Sequence, residues 1–273
     1  MSEYQNAPAL ADGLVLDIHD LSIRFGGLKA VEALSFQVKE KEIFGLIGPN
    51  GAGKTTVFNC ITQFYHPDRG QVLFRARGGE AMDLVGRPVH EIIKLGLVRT
   101  FQNVEVIKEL SLIDNVLIGG HTAFKATIFE QAFRLPRARK EERELRRKAE
   151  QALEFMGIGA LKDLPAGGQP YGVLKKVEMA RTLMAEPKLI ILDEPAAGLN
   201  DSETGDLAAT IRRIRDAYDC TILLVEHDMR LVMGICDRIC AISFGQFLAC
   251  GTPAEIQSNK LVQEAYLGEE EDD

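Results

Sequence analysis

The segment Gly48-Pro49-Asn50-Gly51-Ala52-Gly53-Lys54-Thr55 constrains this chain more than any other. It fits G-x-x-x-x-G-K-[ST] in full, with the mostly apolar run Glu42 to Ile47 before it and a helix expected from Lys54 to about Gln63 after it. Glycines allow the backbone to wrap closely around an anion, so that several N–H groups point inward. The N-terminus of the following helix adds the positive end of its dipole. Lys54 is expected to reach the β- and γ-phosphates of a bound nucleotide, and the Thr55 hydroxyl to bind Mg²⁺. A glycine-rich turn without a ligand is the bland alternative, and the full match in this setting argues against it.

The other half of such a site is expected far down the chain. Leu189-Ile190-Ile191-Leu192 reads as a buried strand that ends in Asp193-Glu194. A carboxylate at the C-terminal end of a parallel strand sits where sheets of this kind bind ligands. Asp193 is then the Mg²⁺-side carboxylate, acting through water. Glu194 is placed to polarise the water that attacks the γ-phosphate. His227 follows a third apolar strand, Ile222-Leu223-Leu224-Val225, and is expected to contact the γ-phosphate and to hold Glu194 and the water. The flanking Glu226 and Asp228 do not suggest a hydrolase triad, because no activated Ser or Cys accompanies them.

Strand patterns at Leu14 to Ile18 and Leu34 to Val38, a turn at Gly26-Gly27, and a strand at Gln71 to Arg75 precede a change of character. From about Asn103 to Met184 the chain reads as mainly helical, and Leu135 to Met156 is dense in opposite charges at helical spacing, as a solvated helix face would be. Strand character returns at Lys188 to Leu192, Cys220 to Val225 and Ile239 to Ser243, so the pattern is α/β with a parallel sheet. The chain has 273 residues and a formal net charge of -8, which argues against a general affinity for nucleic acid phosphates. Cys236 and Cys240 could share a helical face, but no further ligand completes a metal site, and buried free thiols in a reducing cytosol are expected. Met1 to Gly13 reads as a polar tail without a secretory pattern, and no apolar run approaches the ~20 residues that span a bilayer. Residues 269–273 are a like-charge tail.

The order of these motifs resembles the ATP-binding cassette family, the ATPase subunits of ABC transporters, over residues 14–268. Thr100-Phe101-Gln102 is similar to that family's Q-loop, Ala197-Gly198-Leu199-Asn200 to its D-loop, and His227 to its switch histidine. The resemblance implies a P-loop NTPase (RecA-like) core with an N-terminal antiparallel β subdomain and a helical subdomain inserted at about 103–184. It implies that Gly48 to Thr55 and the adjoining Thr56 bind ATP, that Gln102 links the γ-phosphate and Mg²⁺ to the helical subdomain, and that Phe25 lies against adenine; a core or turn aromatic is the other reading of Phe25. The family's signature aligns with Gln169-Pro170-Tyr171-Gly172-Val173, a departure, since Pro170 offers neither hydroxyl nor N–H. In the family this segment, here Pro170, Tyr171 and Gly172, closes over the ATP of a second cassette.

Glu194-Pro195-Ala196-Ala197-Gly198-Leu199-Asn200, Val225-Glu226-His227-Asp228-Met229 and Glu264-Ala265-Tyr266-Leu267-Gly268 look like the branched-chain amino acid importer branch. That likeness implies an ATPase at the cytoplasmic face of the inner membrane, peripheral to it. Its expected partners are membrane permease subunits, a second ABC ATPase subunit (a paralogue or itself) and, indirectly, a substrate-binding protein. An exporter ATPase for lipid or polysaccharide, a non-hydrolysing ATP-binding regulator and a soluble cassette acting on nucleic acid or translation are the competing readings.

Overall fold

A computed structural model of the chain describes residues 10–100, 105–120 and 136–267. The chain divides into two compact units, one of Met1–Arg99 with Lys188–Asp273 and the other of Thr100–Pro187.

In the first unit, β1 (Leu14–Phe25) and β2 (Leu28–Lys39) pair as an antiparallel hairpin. β3 (Ile43–Ile47) follows and leads through the glycine-rich loop into α1 (Lys54–Ile61). β4 (Arg69–Arg75) returns to pair with β1, β5 (Ala81–Asp83) adds to its outer side, and α2 (Val89–Lys94) leads to β6 (Leu97–Arg99). The second unit carries α3 (Leu112–Gly119), α4 (Pro136–Phe155) and α5 (Tyr171–Leu183). The chain then re-enters the first unit through β7 (Leu189–Asp193), α6 (Asp201–Tyr218), β8 (Thr221–Val225), α7 (Met229–Ile235), β9 (Arg238–Ser243), β10 (Gln246–Gly251), α8 (Pro253–Gln257) and α9 (Lys260–Leu267).

Two sheets result. The antiparallel one has the order β2-β1-β4-β5, and the other, of six strands, the order β10-β9-β3-β8-β7-β6. In the latter β6, β7, β8, β3 and β9 are parallel, and only the edge strand β10 runs the other way. All residues of β3, β7 and β8 are buried, which is why they read as unbroken apolar runs rather than alternating ones. One core cluster joins the antiparallel sheet to the six-stranded one: Leu16 and Ile18 of β1 and Phe74 of β4 pack with Phe44 and Leu46 of β3 and Phe58 of α1.

Two expectations change. The helix after the loop ends at Ile61, not Gln63: Thr62 returns its hydroxyl to the Phe58 carbonyl at 2.8 Å and Gln63 turns to a φ of 59°, which closes the helix. Cys236 and Cys240 do not share a helical face, because α7 stops at Ile235 and Cys240 lies within β9. The strands β5, β6 and β10 and the short α2 are not foreshadowed by the pattern.

The second unit has its own anchor in Asn115, which is fully buried on α3. Its amide donates to the carbonyls of Ile107 (3.0 Å) and Ser111 (3.1 Å), and its Oδ1 accepts from the Ile107 N–H at 2.8 Å. Arg181 of α5 donates to the Asn115 carbonyl at 3.1 Å and to its Oδ1 at 3.2 Å, which ties α5 to α3. The charge-dense α4 buries only Ala138, Leu145, Ala149, Ala152 and Leu153, and pairs Arg137 with Glu141 and Lys140 with Glu144 along its outer side.

Candidate active site

β3 delivers the loop Gly48 to Gly53 to the C-terminal edge of the parallel strands, and the loop's shape demands glycine. A Cβ on Gly48 would collide with the Ile242 carbonyl of β9, and one on Gly53, at a φ of 98°, would lie 2.6 Å from the Ala30 carbonyl oxygen. The loop is therefore pressed between β9 and β2 on one side and open on the other, where Gly51 and Asn50 are exposed. The Lys54 ammonium reaches back across it and donates to the carbonyls of Gly48 at 2.5 Å and Pro49 at 2.8 Å. Ala52 is buried, whereas Thr55, on the first turn of α1, is exposed and Thr56 half-buried.

Because β3, β8 and β7 are parallel neighbours, the residues that follow β7 and β8 emerge at this same edge. Asp193 ends β7, with Asp193 opposite Val225 of β8. Its carboxylate accepts from Arg99 Nη2 at 2.6 Å, and Arg99 Nη1 donates to Asn59 Oδ1 of α1 at 2.6 Å. The Arg99 guanidinium lies over the Phe58 ring, 5.8 Å from its centre. Arg99 thus clamps the end of β7 to the helix behind the phosphate loop, in a pair whose side chains are 8% and 7% exposed.

Glu194, the next residue, adopts a φ of 46°, a left-handed conformation that costs a non-glycine residue free energy and is concentrated at functional positions. Its N–H donates to the Val225 carbonyl at 2.9 Å, so the turn is fixed to β8 while the half-buried side chain projects from the strand end. Glu226, the residue just after β8, closes the arrangement. Its buried carboxylate accepts the Ala196 N–H at 2.6 Å and the His227 N–H at 3.2 Å, tying the Asp193-Glu194 loop to the histidine's backbone. Burial pushes the Glu226 carboxyl above its ordinary range, and the N–H donors and His227 oppose that. The His227 ring is 65% exposed, with Nδ1 4.0 Å from Glu226 Oε2.

The Phe25 ring ends β1, is 44% exposed and meets Tyr65 edge-to-face at 5.1 Å. Tyr65 is itself a half-exposed aromatic, so the two form an open apolar step. Asn200 of the segment after Glu194 caps α6 reciprocally with Glu203.

The structure therefore brings Gly48 to Thr56, Asp193, Glu194 and His227 to one sheet edge in the first unit. Pro170, Tyr171 and Gly172 belong to the second unit. Pro170 occupies the cap position of α5, and its carbonyl accepts the Val173 N–H at 3.0 Å. Tyr171 is exposed, with the Lys175 ammonium 5.7 Å from its ring centre. Gln102 lies outside the described residues. Arg99 and Glu226 were missed by sequence reasoning: Arg99 ends a strand of three residues, and Glu226 looked like a neighbour of His227 rather than a bridge to Ala196.

A nucleotide and its metal fit this cradle. The loop presents backbone N–H groups and the Lys54 ammonium to phosphate, and the Thr55 hydroxyl and Asp193 carboxylate are hard oxygen donors suited to Mg²⁺.

Comparison with known proteins agrees with the geometry. Residues 31–197 match the family described as ABC transporter, and residues 248–272 match the family described as branched-chain amino acid ATP-binding cassette transporter. The chain is 45% identical over 255 residues to the high-affinity branched-chain amino acid transport ATP-binding protein BraF of Pseudomonas aeruginosa, spanning 93% of this chain and 98% of that one. It is 43% identical over 255 residues, with the same coverage, to the corresponding protein LivG of Escherichia coli strain K12. Among solved structures, the ADP conformation of an ATP-binding cassette of an ABC transporter superposes with a TM-score of 0.79 at 31% identity, covering 93% of this chain and 99% of that one.

Proposed function

The chain belongs to the ATP-binding cassette family of ABC transporters, and from that membership we propose that it is the ATP-hydrolysing subunit of an importer for branched-chain or closely related amino acids. One observation carries the reading: the phosphate loop, Asp193, Glu194 and His227 leave three adjacent parallel strands at one edge. The match of residues 248–272 to the branched-chain branch supports the cargo class.

In the proposed reaction, the N–H groups of Gly48 to Thr56 bind the phosphates, and Lys54 exchanges its loop carbonyls for β- and γ-phosphate oxygens. Phe25, with Tyr65 beside it, meets the adenine. Thr55, with Asp193 and Gln102 acting through water, would hold Mg²⁺, which when bound would supply positive charge to the β- and γ-phosphates. Glu194 accepts a proton from water as the water oxygen attacks the γ-phosphorus, and the bond to the ADP oxygen breaks. His227 holds the γ-phosphate and the water in line. The work is positioning and charge stabilisation, and the rigid turn at Glu194 provides the first.

A second cassette completes the site. Pro170 contributes no side-chain donor to it, so the start of α5 acts through Tyr171, Gly172 and the positive end of the helix. Among the described residues no helix is long and apolar enough to cross a membrane. Membrane permease subunits supply the pathway, and the chain sits peripherally on their cytoplasmic side at the inner membrane, with a binding protein delivering cargo to them.

In the assembled transporter, Glu194→Gln lowers ATP turnover ~100-fold or more while nucleotide affinity stays within about twofold. Turnover near that of wild type removes Glu194 from the role of base. Turnover stimulated by binding protein loaded with a branched-chain amino acid, and not by the empty protein, tests the cargo.

A further inference from the structure

On the edge of the six-stranded sheet, Cys240 of β9 and Cys250 of β10 stand directly opposite each other in antiparallel register. Their side chains therefore share the face turned toward the core, where Cys240 is buried and Cys250 packs against the same cluster while remaining half-exposed. Opposite residues of an antiparallel pair have Cα atoms about 4.5–5.5 Å apart, within the ~4.4–6.8 Å that a disulfide spans. Arg238, two residues before Cys240, donates from Nη2 to the Cys250 sulfur at 3.4 Å, and its guanidinium is fixed over the Phe44 ring and against Glu42.

We propose that Cys250 and Cys240 are an oxidisable thiol pair, which a hydroperoxide converts to a cross-strand disulfide with Cys250 as the attacking sulfur. The five cysteines separate in chemistry as this requires. Burial pushes the thiols of Cys60, Cys220 and Cys236 up to about 12, which keeps them protonated and unreactive. Cys250 moves the other way, to about 7, through the hydrogen bond from Cys240 and then the Arg238 guanidinium, against burial and the Glu42 charge. It alone combines partial exposure, a cation and a neighbouring thiol.

The chemistry balances in two steps. The Cys250 thiolate attacks one oxygen of the hydroperoxide, the O–O bond breaks, and the departing alkoxide or hydroxide takes a proton, leaving a sulfenic acid on Cys250. The Cys240 sulfur then attacks the Cys250 sulfur, the S–O bond breaks, and the leaving hydroxide takes up the Cys240 proton as water. Two thiols are oxidised by two electrons in total, and one peroxide is reduced to an alcohol, or water, plus water. In a reducing compartment such a bond is transient and redox-sensing rather than structural.

The test is hydrogen peroxide titration of the intact chain, followed by thiol alkylation and peptide mass analysis. The expected product is a linked Cys240–Cys250 peptide pair two hydrogens lighter than the dithiol, reversed by dithiothreitol, with Cys60, Cys220 and Cys236 still reduced. Cys240→Ser should halt the reaction at a sulfenic acid on Cys250, trapped by a carbon nucleophile. Arg238→Lys, which retains a charge without the planar fork, should slow oxidation about 3- to 10-fold. The proposal is overturned if Cys250 stays a thiol while another cysteine oxidises, if Cys250 proceeds to sulfinic acid in wild type without linkage, or if Arg238→Lys oxidises as fast as wild type.

Discussion

Asp193 faces two demands: it is the carboxylate proposed for the metal's water shell, and it already accepts a hydrogen bond from Arg99. The guanidinium fixes the carboxylate's angle and ties it to Asn59 on the helix behind the loop, so one residue relates both halves of the nucleotide site. Removing one partner of a pair this buried is costly. Arg99→Met should destabilise the protein by about 3 kcal/mol in denaturant unfolding. Arg99→Lys should recover part of that, because an ammonium can meet Asp193 but not Asn59 in the same plane. The same Lys variant should raise the Mg²⁺ concentration needed for half-maximal turnover, which a purely structural role would leave alone. Asp193, Glu194 and His227 were legible in the sequence because each lies within two residues of the end of an apolar run and is polar. Arg99 was not, since nothing in Leu97-Val98-Arg99 distinguishes a strand end from a loop. The left-handed φ of Glu194 was also invisible, because glutamate does not advertise it.

Among the elements, the turn after β7 is held by the carboxylate of Glu226, the residue that follows β8, and this has a pH signature. Burial raises the Glu226 carboxyl above its unfolded value. Above the raised value both states are ionised and the folded state bears the full cost of the buried charge. As pH falls through that value the folded state takes up its proton first, and the cost is progressively relieved until the unfolded value is passed. Glu226→Gln carries no such charge, so its melting temperature relative to wild type should be highest at neutral to alkaline pH and should fall as the medium is acidified toward the unfolded carboxylate range. A difference that grows on acidification would contradict this. Strands β3, β7 and β8 could be read from composition because burial on both faces selects unbroken aliphatic residues. The antiparallel strands were read only in part: β1 and β2 each run twelve residues, but Asp20 and Ala33, both at positive φ, interrupt the alternation midway. β10 escaped because it is an edge strand of exposed and half-buried residues, whose pairing with β9 is set by the turn at Phe244-Gly245 rather than by its own pattern.

At the scale of the whole chain, the two units have separate anchors, and a mutation can address one of them. Asn115→Ala leaves the Ile107 N–H and a facet of Arg181 without their acceptor, at a cost of about 2 kcal/mol to the second unit. Amide exchange should quicken in residues 105–120 while the phosphate loop in the first unit keeps its nucleotide affinity within about twofold. Uniform quickening in β3 and β8 would show that the units do not respond separately. The helical character of the insert was legible from its charge pattern, and the family resemblance supplied its place in the architecture; the site residues carry the ATPase half of the reading, and the branched-chain match adds the cargo class, leaving the lipid exporter and regulatory alternatives without support of that kind. The sheet order has one more consequence, for synthesis. β3 is made early, yet its neighbours are β8 and β9, and Lys41 waits for a hydrogen bond from its N–H to Thr221 across a separation of 180 residues. A ribosome releases the phosphate loop long before the strands that brace it, and α3, α4 and α5 of the second unit emerge in between. Nucleotide should therefore protect nascent chains only after β9 has emerged, so that ATP acts as a late selector of finished molecules and not as a template for folding.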